Sequence, residues 1–351
     1  MEDERVEYLR LCQQALQISA NTGIIIALIV KILFAIVGFV GLIFACFFYD
    51  HFTMTFHKNA RLLLWVHYLF AMVSCFGTVA SDGFDFYRFT LQKSLNSGSK
   101  CLIPPMDPLL AISLKILKLF GTSGTMLSMA ALTFERLFAT IFAKTYQTVS
   151  LKFGIFLGFI CVSINSIGYG LHFVIADYSH LVYMTTITRG AMGMSLYMLY
   201  FSCGIEAFVI IVQCGLFLSN WQTTRGSDRM IVKSLNYKSQ IRENVESLKF
   251  LFTLSVIHTL LYLLMAVIMP TIANVQNDET QRQLTTIQTE TITIYFIALP
   301  AVLIWCNWIK KRSDRVHQVT HCIGDNVNRV RMENEKHFKM IDELFQRRTS
   351  K

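Results

Sequence analysis

The chain has 351 residues, of which 53% are hydrophobic and 16% charged, with a formal net charge of +9 and a mean hydropathy of +0.45. A soluble domain carries about 25% charged residues, so this composition excludes a disordered or highly solvated protein and argues against a soluble two-domain enzyme. The deciding feature is whether the apolar residues cluster into runs that can cross a membrane.

They cluster into seven charge-poor stretches: Thr22–Tyr49, Ala60–Asp82, Leu109–Glu135, Phe153–Ala176, Gly190–Ser219, Leu248–Ala273 and Gln288–Ile309. At about 1.5 Å per residue each can cross a hydrocarbon core of about 30 Å. Buried helices of a soluble protein would show polar faces at helical period, and these stretches lack them. Hydrocarbon offers no hydrogen-bond partner to a backbone, so spanning segments of this length are helices. The expected architecture is an all-α bundle of seven transmembrane helices, here called spans one to seven. Residues 1–21 precede it, 22–309 form it, and 310–351 make a tail.

Lys and Arg set the orientation. They concentrate in alternate connections and in the tail, which begins Lys310-Lys311-Arg312, whereas the chain opens Met1-Glu2-Asp3-Glu4. This places the N-terminus outside and the tail in the cytoplasm. The acidic start and long first apolar run do not fit a cleaved signal peptide, so span one is expected to act as an uncleaved anchor. The pI of 9.1 reflects charge on the cytoplasmic side, facing anionic lipid and acidic partner surfaces, and does not point to nucleic acid. In the tail, Ile309, Val316, Val319 and Ile323 recur at helical spacing, the pattern of a short amphipathic helix on the inner leaflet.

Most of the nine cysteines lie in spans, where they serve as small apolar filler. Cys12 and Cys101 fall outside. A disulfide between them suits the extracellular compartment; inward packing of Cys12 is the other reading. Cys322 lies in the tail and reads either as a reduced thiol or as a palmitoylation site. No spacing of His, Cys or carboxylates suggests a metal, and no cofactor motif is present.

Several polar residues enter the spans. Glu135-Arg136 closes span three. Such a pair is commonly an interface anchor. The functional reading is a latch, in which the carboxylate holds the guanidinium until activation frees it for a partner; Arg suits this because its fork stays charged. Lys118 stands eighteen residues earlier, five helical turns or about 27 Å away on the same face. It reads as an interior charge or as a side chain reaching the outer headgroups. Glu206, mid-span five, has too short a stem to reach water and must face the interior, paired or protonated. Lys118 is one candidate partner for it, a ligand cation another. Lys31 is placed to meet Asp82 or Asp85. His258 in span six reads first as a satisfied core histidine.

Gly121-Thr122-Ser123-Gly124 in span three looks like the serine motif of an intramembrane protease, with His258 as base. Small residues in spans more often let helices pack closely. A seven-span channel or transporter is the other alternative function, although the intramembrane charges are isolated rather than arranged in stripes.

Three segments carry a resemblance. They are Phe56-His57-Lys58-Asn59; Gly121-Thr122-Ser123-Gly124 running on to Glu135-Arg136-Leu137-Phe138-Ala139-Thr140; and Tyr237-Lys238-Ser239-Gln240-Ile241-Arg242-Glu243-Asn244. In order and spacing they resemble the nematode serpentine chemoreceptors of the Sra superfamily, closest to class alpha/beta (Srab), with class alpha (Sra) and class beta (Srb) near. The resemblance implies a G-protein-coupled chemosensory receptor, not an enzyme, at the plasma membrane and in sensory cilia. Its partners would be a small-molecule ligand and a heterotrimeric G protein. Glu135 and Arg136 would take the place of the acidic–Arg pair of rhodopsin-like receptors. Leu137 replaces the usual aromatic there, span seven lacks an Asn-Pro-x-x-Tyr run, and span six lacks Trp-x-Pro. The expected G-protein contacts are Glu135, Arg136, Lys233, Lys238 and Arg242. The expected ligand anchors are Lys118 and Glu206, with Tyr197, Tyr200 and Phe201 around them.

An epitope tag on the N-terminus should label in intact cells without permeabilisation. Labelling only after permeabilisation, with surface delivery shown independently, would invert every connection.

Overall fold

The computed structural model describes residues 2–53, 56–96, 98, 100–143, 145–175, 192–227, 235–275, 292–306 and 308. Two compact units divide at residue 303, Met1–Leu303 and Ile304–Lys351. In the second, the described Ile304, Trp305 and Trp308 present apolar side chains outward. The tail helix expected around Val316 and Val319, and Cys322, fall outside the described residues.

The described elements of the first unit are helices, joined by short non-helical connections. Among the described residues, six helices are long and apolar enough to cross a membrane, and Thr293–Cys306 is a shorter apolar seventh. Span one is Thr22–Thr53, span two Lys58–Tyr87, span three Pro108–Ile141, span four Lys152–Ile175, span five Met192–Ser227 and span six Leu235–Val275. Span six starts well before its apolar core, at Leu235. Span three begins where Asp107 accepts the backbone N–H groups of Leu109 and Leu110 at 2.7 and 3.3 Å, with Pro108 supplying a ready-set first turn.

The inside of this bundle is more polar than its outside. Span two buries His67, Ser74, Thr78, Ser81, Asp82 and Asp85. Span one turns Ile29, Leu33, Val37, Val40 and Phe44 outward and keeps Ala35 and Ala45 inside. That distribution suits a lipid solvent, where apolar side chains gain nothing by hiding and small residues bring helices together.

Spans two and three form the tightest pairing. A methyl group on Gly77 would overlap the backbone of Lys118, and one on Gly121 would overlap the backbone of Ser74. At this separation the Ser74 hydroxyl donates to the Lys118 carbonyl at 3.1 Å and lies 2.8 Å from the Thr122 hydroxyl.

A helix that the residue pattern did not announce, Glu2–Ala20, precedes span one. Its Leu11, Ala15 and Ile18 pack with Ile24 and Leu28 of span one, Phe89 beyond span two, and Ile103 of the following connection. Cys12 and Cys101 are joined by a disulfide across this cluster, and Lys93 Nζ donates to Ser19 Oγ at 3.0 Å. Past Tyr87 the helix widens into a π-turn, Arg88–Gln92, where Arg88 pairs with Asp85 at 3.8 Å and donates to the Pro104 carbonyl at 2.6 Å.

Gly121→Val should force spans two and three apart at a cost of about 1–3 kcal/mol and lower the thermal midpoint of the purified protein in detergent. Gly170→Ala, with open space around it, should leave the midpoint unchanged.

Candidate functional site

Three sets of buried polar side chains stand out along the described bundle. Nearest the disulfide end, Asp82 Oδ2 is 3.0 Å from Lys31 Nζ and 3.4 Å from Lys118 Nζ. Asp82, one of the two carboxylates open to Lys31, is met by it. Lys118 faces the interior, but its carboxylate is Asp82 on span two rather than Glu206 on span five. The reason is the glycine-mediated approach of spans two and three, which carries the ammonium onto span two.

Deeper in the bundle, Glu206 is fully buried on span five and answered by span six: His258 Nδ1 lies 2.8 Å from Oε1, and the Thr259 hydroxyl donates to Oε2 at 2.8 Å. His258 Nε2 is 3.2 Å from Thr125 Oγ1 on span three. The Tyr295 ring of span seven stands 4.4 Å from the His258 ring. Its hydroxyl is 2.7 Å from His67 Nε2, and His67 Nδ1 is 2.9 Å from Ser128 Oγ. His67 and Tyr295 were not singled out from sequence. Asking the fate of every intramembrane polar residue would have raised His67, but Tyr295 looks like any interfacial aromatic.

The three aromatics expected beside Glu206 point away from it. Tyr197, Tyr200 and Phe201 are 78%, 54% and 62% exposed. At about 100° per residue, nine positions put Tyr197 on the face opposite Glu206, and Tyr200 and Phe201 are turned well over 90° from it. The structure does not gather them into one site with Lys118 and Glu206.

The Gly-Thr-Ser-Gly segment is a packing junction. Gly121 meets span two, and the Ser123 hydroxyl donates to Asn165 Oδ1 of span four at 2.6 Å. The Thr122 carbonyl accepts from Tyr262 of span six at 3.2 Å. Ser123 thus faces span four while His258 faces Glu206 and Thr125, which is not the arrangement of a nucleophile and its base.

At the far end, Glu135 and Arg136 are both fully buried. The guanidinium grips the carboxylate with two bonds, Nε to Oε2 at 2.5 Å and Nη2 to Oε1 at 2.6 Å. Its remaining arm, Nη1, donates to Ser247 Oγ at 3.0 Å and Asn244 Oδ1 at 3.3 Å, both on span six. Tyr146, in the connection after span three, donates to Glu135 Oε1. Its ring lies 4.4 Å from that of His57, which caps span two by accepting the Asn59 N–H at 3.4 Å. Phe56 packs on Phe250 of span six with ring centres 6.2 Å apart. Burial and then the Glu135 carboxylate push the Tyr146 phenol up from its ordinary value, so it remains a donor. Burial lowers the His57 imidazole; Glu135 opposes this, and Arg136, Lys58 and Arg61 reinforce it.

Three segments distant in sequence, Phe56–Asn59, Glu135–Thr140 and the stretch ending at Asn244, therefore converge on one end of the bundle. Lys233 lies outside the described residues; Lys238 and Arg242 sit on the span-six helix, their side chains outside what is described.

Residues 10–343 match the family model for the serpentine type 7TM GPCR receptor class ab chemoreceptor. The chain belongs to that family. No match to a curated protein was found. This serpentine receptor is a seven-transmembrane helical bundle, a multi-pass protein of the plasma membrane and of the G-protein-coupled chemoreceptor type. The class alpha/beta assignment agrees with the one the three motif segments suggested.

His258→Leu in this receptor leaves Glu206 without its nitrogen hydrogen-bond partner, a loss of about 1–3 kcal/mol. The surface-delivered fraction should fall sharply. Glu206→Gln keeps an oxygen acceptor for Thr259 and a polar group facing His258, so it should fall less; an equal loss in both variants would show that the bond to His258 is not what holds spans five and six.

Proposed function

We propose that this receptor reports a small external molecule to a heterotrimeric G protein, and that Glu135 and Arg136 form its latch. The observation that carries this reading is the full burial of Arg136 with every arm of its fork engaged. Two bonds go to Glu135 on its own helix, and Nη1 is shared between Ser247 and Asn244 of span six. A guanidinium cannot discharge by losing its proton, so while it is buried it must keep partners. Its partners here tie spans three and six together at one end. Separation of those spans would free the fork for acceptors on another protein.

The orientation in this proposal has the N-terminal helix outside and Arg136 at the cytoplasmic face. Two features support it: the excess of Lys and Arg in the connections on the Arg136 side, and the Cys12–Cys101 disulfide at the opposite end, a bond of oxidising compartments. The chain then divides into residues 1–21 outside, 22–309 in the membrane and 310–351 in the cytoplasm. Lys233, Lys238 and Arg242 flank the same face in sequence and supply positive charge for a G protein.

The ligand enters among spans three, five, six and seven from outside. Lys118 and Glu206 remain the anchors of this proposal, each now with its partner: Lys118 with Asp82, Glu206 with His258 and Thr259. A ligand that competes for one of these groups favours the open arrangement by the difference in its affinity for the two states.

Arg136→Ala should abolish signalling while leaving surface delivery intact, read as second-messenger or calcium responses in cells with tagged receptor at matched surface levels. Ser247→Ala removes one hydrogen bond of the closed arrangement, about 1–1.5 kcal/mol, and should raise ligand-independent signalling up to about tenfold. Full signalling from Arg136→Ala would sink the latch.

A further inference from the structure

The connection between spans three and four adds something the latch itself does not need. Tyr146 belongs to a single 3-10 turn, Tyr146–Thr148, five residues beyond the last residue of span three. Short connections ordinarily face water, yet the Tyr146 side chain is fully buried. Its hydroxyl donates to Glu135 Oε1, the oxygen that also takes Arg136 Nη2. The carboxylate is thus held from its own helix by Arg136 and from the connection by Tyr146.

What holds Tyr146 is equally defined. One neighbour is the His57 ring at 4.4 Å. Another is Phe138 at 6.2 Å, itself packed on Phe142 at 4.5 Å and on Phe153 of span four at 4.9 Å. His57 caps span two through Nδ1, which accepts the Asn59 N–H. An acceptor at Nδ1 requires the neutral ring with its proton on Nε2. Protonation would put a donor where the cap needs an acceptor.

Resting on the latch reading above, we propose that Tyr146 is a positioning residue that holds Glu135 closed from the loop, and that His57 makes this hold weaken as the cytosol acidifies. The charged and titratable groups facing His57 are Glu135 and Arg136 of span three, Lys58 and Arg61 of span two, and Tyr146 of the connection. One carboxylate favours the imidazolium; three cations and burial oppose it, and the balance lowers His57. Once the end opens, His57 is hydrated and returns toward the ordinary value of about 6.5. The open arrangement therefore binds the proton better than the closed one. The closed arrangement keeps its full advantage above about pH 6.5 and loses it as pH falls through that value. For one such group, moving from pH 7.4 to 6.0 should raise the open population, by at most about fourfold.

The test uses the full-length receptor in lipid nanodiscs with neither ligand nor G protein. Hydrogen exchange of residues 142–153 and 244–250 is read at both pH values and corrected for the intrinsic rate. In wild type, exchange should rise at the lower pH, by up to about fourfold. His57→Phe, which keeps an aromatic ring against Tyr146 and removes the titration, should flatten that rise. Tyr146→Phe, which removes one hydroxyl, should raise exchange at pH 7.4 several-fold, whereas Thr148→Ala, on the exposed side of the turn, should not. A flat wild-type profile, or the same rise in His57→Phe, overturns the role of His57. Unchanged protection in Tyr146→Phe overturns the role of Tyr146. Arg136→Ala in the same assay separates the two readings: if it alone leaves exchange unchanged, the latch fails independently of the loop.

Discussion

A polar side chain carried into hydrocarbon must be answered by another group of the protein, because the solvent on that side answers nothing. The bundle is organised by this requirement. Its three buried polar groups each draw members from different helices, so satisfying the side chains and fixing the helix neighbours are the same event. Lys31, Asp82 and Lys118 bind spans one, two and three. The pairings around Glu206, His258 and Tyr295 link spans three, five, six and seven, and reach span two through His67. Arg136 binds span three to span six.

The requirement works only if the helices come close enough, and small residues decide where they do. Gly77 and Gly121 bring the backbones of spans two and three together, and this approach carries the Lys118 ammonium to Asp82. On span one, Gly38 meets Phe296 and Gly41 meets Pro300, so span seven is admitted by the same device. In the proposed mechanism, stability and switching use the same bonds. A set of mutually satisfied groups is stable as a whole, yet a competitor for one member releases the others together. In the proposed latch, a guanidinium with every arm engaged has a definite set of bonds to lose, so a change between closed and open would be abrupt.

Hydropathy made the spans legible. The stretch Thr22–Tyr49 became Thr22–Thr53 and Ala60–Asp82 became Lys58–Tyr87, shifts of a turn or so at ends where apolar content fades gradually. The ends that carry capping groups, Asp107 before Pro108 and His57 before Lys58, are local signals and could be read directly. The N-terminal helix could not, because its buried face is only Leu11, Cys12, Ala15, Ile18 and Ser19, and it has meaning only against Phe89 and Ile103. Tyr146 was silent for a related reason. A tyrosine in a polar connection carries no mark of the carboxylate eleven residues earlier until the chain turns back. Glu206 was legible as a residue needing a partner, but which partner depended on how span six was rotated.

The sequence by itself determined that this chain crosses a membrane, roughly where it does so, which intramembrane groups need partners, and the family to which its motif segments belong. These follow from properties summed over about 20 neighbouring residues or from short fixed strings, which need no knowledge of the rest of the chain. Only the tertiary structure decided that Lys118 meets Asp82, that Glu206 meets His258, that Tyr197, Tyr200 and Phe201 turn outward, and that Tyr146 reaches Glu135. Each of these depends on the rotation of a helix about its axis and on which helix lies beside it. A difference of one residue in register turns a side chain by about 100°, and hydrophobicity around a lipid-facing helix is too even to specify that angle.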